Sequence, residues 1–81
     1  MNVITEWTDL AAAELGVPAM ELDTAKVLTL SRYVARDVCG AAAPLTFYLV
    51  GIAVGRGMSL VEAVTRVSAL VERWRGVDWR D

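Results

Sequence analysis

Pro44-Leu45-Thr46-Phe47-Tyr48-Leu49-Val50-Gly51-Ile52-Ala53-Val54 runs through the middle of this 81-residue chain without one charged side chain. Proline suits the first turn of a helix, where its missing N–H has no partner to lose. No face of the helix that follows reads as solvated. A helix apolar all round is either enclosed by protein or crosses a membrane. The uncharged run extends from Val38 to Gly55, which only reaches the short end of the roughly 17–25 residues that a span requires. Gly40, Pro44, Gly51 and Gly55 interrupt it. Its helical part, about a dozen residues, gives roughly 18 Å against a hydrocarbon layer of roughly 30 Å. The expectation is a water-shielded third helix over 44–56, enclosed by its companions, and no membrane span.

Outward from this segment, three amphipathic helices are expected. The first covers 3–15, where Ile4, Trp7, Ala11 and Leu15 recur at helical spacing. Asn2 can cap it and Gly16-Val17-Pro18 stops it. The second covers 24–38, with Asp23 as N-cap, Gly40 as stop and Val27, Leu30, Val34 and Val38 as its buried stripe. Lys26, Thr29, Arg32, Tyr33 and Arg36 fall on its opposite face. The fourth covers 60–75 and opens on Ser59-Leu60-Val61-Glu62, a capping box. Leu60, Val64, Val67, Val71 and Trp74 make its stripe, and Gly76 closes it. The fold class is therefore all-α: a single-domain four-helix bundle, residues 1–76, with a short tail over 77–81. Short connections favour antiparallel neighbours.

Composition narrows the function. Eight basic and ten acidic residues give a net charge of −2, and no basic stretch resembles a phosphate-backbone footprint, so nucleic acid is not an expected partner. With no histidine and one cysteine, Cys39, no internal disulfide forms and histidine-dependent nucleophilic catalysis is excluded. Zinc's preference for sulfur and nitrogen donors is poorly met. Cys39 reads as a small buried hydrophobe. No catalytic residue, metal site or cofactor is expected. Glu6 and Asp9 near the start, without a cationic segment, do not make a signal peptide, so the expected address is cytoplasmic. A mean hydropathy of +0.43 is high for a chain that buries only about 60–65% of its unfolded surface, which favours a homodimer or a protein partner.

Four features are candidates for function. Asp37 sits in the last turn of the second helix, where the macrodipole disfavours an acid, while the third helix starts without Ser, Thr, Asp or Asn. Asp37 is thus a candidate cap for the N–H groups of Leu45 and Thr46. Alternatively that uncapped end is an anion site, with Arg32, Arg36 and Thr46 receiving a phosphate- or nucleotide-bearing ligand. Gly51 and Gly55 are spaced for close approach of a neighbouring helix inside the bundle. Trp79, beyond Gly76, is the candidate partner contact.

The run Arg36-Asp37-Val38-Cys39-Gly40-Ala41-Ala42-Ala43-Pro44-Leu45-Thr46, continuing to Gly51 and Gly55, resembles a small actinobacterial domain family of unknown function. Glu6-Trp7 and Leu15-Gly16-Val17 extend the likeness over most of the chain. Members occur alone or fused to nucleotidyltransferases of the molybdopterin-guanine dinucleotide type. The resemblance implies a non-enzymatic accessory or protein-interaction module linked to molybdenum-cofactor biosynthesis. Many members carry histidine two or three positions after the Arg-Asp pair, where this chain has Cys39 and Gly40, so no imidazole role is carried over.

Overall fold

Local punctuation places the helices. In a computed structural model that describes residues 3–18 and 23–76, the chain forms α1 (Val3–Leu15), α2 (Thr24–Asp37), α3 (Ala42–Gly55) and α4 (Leu60–Arg75). The fold is all-α, as the periodicity indicates. Asp23 caps α2 by accepting from the Lys26 N–H at 3.1 Å. Ser59 caps α4 by accepting from the Glu62 N–H at 3.0 Å. The reciprocal half of that capping box is not made, because the Glu62 carboxylate is engaged by Arg66 one turn on.

Two glycines close helices in the left-handed region. Gly16 has φ 71° and Gly57 φ 110°. At each, the glycine N–H and the next N–H reach back in the paired pattern that satisfies a helix's last carbonyls: Gly16 to Ala13 and Val17 to Ala12, Gly57 to Val54 and Met58 to Ala53. Gly40 and Gly76 play no such part, since neither has positive φ. The third helix begins two residues earlier than expected, through bonds from Ala42 to Cys39 and Ala43 to Gly40. Pro44 then lies third in α3, still among the opening residues whose N–H groups lack helical partners.

The core is built by three helices. Leu30 and Val34 of α2, Ala43 of α3 and Val71 of α4 are buried together, with Val38, Phe47, Val64 and Val67 packed around them. The α2 and α4 stripes thus face the core as their spacing requires. Tyr33, expected on the solvated face of α2, also packs on this cluster. It bridges to α4 by donating from its hydroxyl to Glu72 at 2.5 Å.

Four expectations are corrected. Helices α2, α3 and α4 pack pairwise, but α1 has no comparable packing with any of them. Its stripe lies open, with Trp7 69% and Leu15 77% exposed. Consequently α3 is not enclosed: it has two packed neighbours and a bare outer face of Leu45, Tyr48, Leu49 and Ile52. No neighbouring helix approaches Gly51 or Gly55 closely either, since a Cβ at each would meet nothing within 4 Å. Cys39, in the turn before α3, is an exposed free thiol. No helix among the described residues is long and apolar enough to cross a membrane.

Candidate functional site

Because α1 leaves the space beside α3 and α4 open, a groove runs between those helices. It has a volume of about 370 Å³. Val34 and Val38 of α2 contribute from below, Thr46, Leu49, Val50 and Ala53 from α3, and Ala63, Arg66, Val67, Leu70 and Trp74 from α4. The Gly57 turn delivers Met58 to one end. Leu49 and Leu70 remain 64% and 52% exposed on its walls. Past Met58 the groove continues into a depression formed by Leu49, Ile52, Ala53, Arg56 and Glu62. The polar side chains lining the main groove are Thr46, Trp74 with its indole N–H, and Arg66, whose guanidinium is paired with Glu62, so its chemistry is that of apolar burial. Among the described residues no three His, Cys, Asp or Glu side chains are grouped to hold a metal ion.

A second, polar cluster links the C-terminal halves of α2 and α4. Glu72 accepts from Tyr33 and lies 3.4 Å from Arg75. That hydrogen bond to a carboxylate, helped by partial desolvation, raises the Tyr33 phenol above its ordinary pKa. Arg36 lies over the Tyr33 ring at 5.5 Å and makes two hydrogen bonds to Asp37, at 3.1 and 3.2 Å. The same pair of bonds holds the Asp37 carboxyl below its usual range and raises the Arg36 guanidinium.

This geometry decides where the sequence-derived residues stand. Asp37 is not the cap of α3: its carboxylate is turned to Arg36, and Ala41 opens α3 with no side-chain hydrogen bond. Thr46 lines the groove, and Arg32 and Arg36 do not. Lys26 stands 3.9 Å from Asp23 in its own helix's first turn, and none of the described ion pairs joins α1 to α2. Trp79 lies outside the described residues. Sequence reasoning missed Leu49, Leu70 and Arg66. The available signal was Leu70, an apolar residue one step outside the narrow α4 stripe and one turn beyond Arg66.

The fold and groove together define a small all-helical domain with an open apolar cleft. Residues 1–79 match the model of a domain of unknown function, DUF6457, and the chain belongs to that family. Neither the curated proteins nor the solved structures yield a match.

Proposed function

We propose that this chain is a non-enzymatic protein-interaction module acting through the α3–α4 groove, and that it serves an accessory role in molybdenum-cofactor handling in the cytoplasm. The observation that carries the interaction role is the groove itself: about 370 Å³ of almost wholly apolar wall, continuous with the bare α3 face of Leu45, Tyr48, Leu49 and Ile52. Apolar patches that a small domain cannot cover mark protein contact sites. The interaction reading therefore rests on a bare α3, not on the enclosed spine that the sequence led one to expect. Support for the cofactor pathway comes from the family resemblance in the sequence alone.

The test is retention of a purified molybdopterin-guanine dinucleotide-type nucleotidyltransferase by the immobilised chain, compared with Leu49→Glu and Leu70→Glu variants whose helicity is checked by circular dichroism. Wild-type retention that falls at least about tenfold in both variants, about 1.4 kcal/mol, is the expected result. Equal retention by all three chains, or by none, contradicts it.

A second reading draws on the absence of a side-chain cap on α3: a phosphate-bearing small ligand at the α2–α3 junction. The engagement of Arg36 by Asp37 works against it. A thermal shift of the wild type with millimolar pyrophosphate, lost in Arg36→Gln, would favour this reading, and an unchanged melting curve would remove it.

A further inference from the structure

The chain carries both an open groove and an apolar helix only slightly packed on the core, and the two correspond. On α1, Val3, Trp7, Ala11 and Leu15 form one row at four-residue spacing, and Glu6, Leu10 and Glu14 form the next. Val3, Trp7 and Leu15 of the row are exposed and Ala11 is half-buried, and Trp7, Leu10, Ala11, Glu14 and Leu15 line a shallow apolar depression along it. From Ile4 to Leu15 the stripe rises about 16 Å, and the α4 wall of the groove from Ala63 to Trp74 rises the same about 16 Å. An α1 helix laid in the groove would cover it end to end.

Charge agrees with length. Helix α1 carries Glu6, Asp9 and Glu14 and no Lys or Arg. The groove is bordered by Arg66, which is paired with Glu62 on its own helix, with Arg56 at its extension and Arg73 two turns beyond Arg66 along α4. The acidic row of α1 lies beside its apolar row, and on α4 Arg66 stands one turn before Leu70.

The protein's surface also indicates a missing contact. An 8.8 kDa chain folded as a compact monomer exposes about 4,800 Å², whereas this one exposes 6304 Å². Part of that excess belongs to the two apolar faces themselves: Val3, Trp7, Leu10 and Leu15 on α1 and Leu49 and Leu70 in the groove are each more than half exposed. The Gly16 closure, followed by Pro18, sets the direction in which the chain leaves α1, and α1 lies off its own core.

We infer that the occupant of the groove is α1 of a second copy: two chains exchange their first helices across a two-fold axis, each completing the other's four-helix packing. This rests on the reading of the groove as a protein contact site and names its occupant; a nucleotidyltransferase whose retention depends on Leu49 and Leu70 then binds the exchanged dimer that those residues hold together. One symmetric step covers both apolar surfaces and places the acids of α1 beside the arginines of α4, the self-complementarity that a closed dimer requires.

The test uses the full chain with Cys39→Ser, since that thiol is exposed. Ala11→Cys is placed in one preparation and Leu70→Cys in another. Each lies near the midpoint of its surface, so either helix direction brings them close. The two are co-refolded and treated with a short bismaleimide. The expected product is a species of twice 8.8 kDa containing one chain of each kind, reduced at least tenfold when Trp7→Glu is added to the Ala11→Cys chain. If a chain carrying both Ala11→Cys and Leu70→Cys cross-links within itself while the mixed single variants do not, α1 closes its own groove and the inference is overturned. If neither cross-links yet Leu70→Glu still abolishes nucleotidyltransferase retention, a foreign partner holds the groove, and only the second-copy assignment falls. If neither cross-linking nor groove-dependent retention is seen, both readings fall.

Discussion

Replacing Gly51 by alanine should stabilise this protein, and the same change at Gly57 should destabilise it. Gly51 lies inside α3, and a Cβ built there meets nothing within 4 Å. The substitution therefore carries no packing penalty and gains the helix propensity of alanine over glycine, about 1 kcal/mol. Gly57 is equally open but has φ 110°, where an L side chain strains the backbone by about 1–2 kcal/mol. Space is the same at both sites, so the opposite signs isolate backbone conformation. For a domain of this size 1 kcal/mol corresponds to about 4–8 °C in Tm. The assay is thermal unfolding followed at 222 nm at matched concentration. A Gly51→Ala variant that melts lower than the wild type would refute the reasoning, because it would mean that a helix does approach the α3 glycines closely.

Other perturbations probe separate parts of the structure. Ser59→Ala removes the acceptor of the Glu62 N–H and should cost about 1 kcal/mol in urea unfolding, whereas loss of a complete capping box should cost more. Val34, 2% exposed at the centre of the core cluster, should cost about 2 kcal/mol when cut to alanine, from two lost methyl groups and the cavity they leave. The Asp37 carboxyl, depressed by its hydrogen bonds to Arg36, should titrate by NMR below the ordinary aspartate range and return towards it in Arg36→Gln. Because the folded-state pKa is the lower one, any stability it contributes is present above the ordinary carboxylate range and lost as pH falls through the folded value. An unmoved Asp37 titration in that variant would show that the pair does not persist in solution.

What the sequence revealed and what it hid divide along the range of the interactions. Asp23, Ser59 and Gly16 mark helix ends by bonds to residues three to five positions away, so their roles are legible in the order of residues. The stripes of α2 and α4 are legible too, because periodicity fixes which residues share a face. Periodicity is silent on what covers that face. The α1 stripe of Ile4, Trp7, Ala11 and Leu15 has the same spacing as the others and yet lies open. The uncharged α3 invited enclosure, but with α1 off the core one side of it stays bare. Asp37 failed as a cap for a related reason: Arg36 is its covalent neighbour and takes the carboxylate first. The groove was hidden because it is a gap between helices, defined by the absence of a fourth, and no single segment encodes it.

The account's central claim is that α1 and the α3–α4 groove bury one another between two chains. Sedimentation velocity of the full chain from about 1 to about 100 µM tests it most directly. The prediction is a species of twice 8.8 kDa that Leu70→Glu returns to the single-chain mass without loss of helicity. A wild type that sediments at 8.8 kDa across the whole range, indistinguishable from Leu70→Glu, would contradict it.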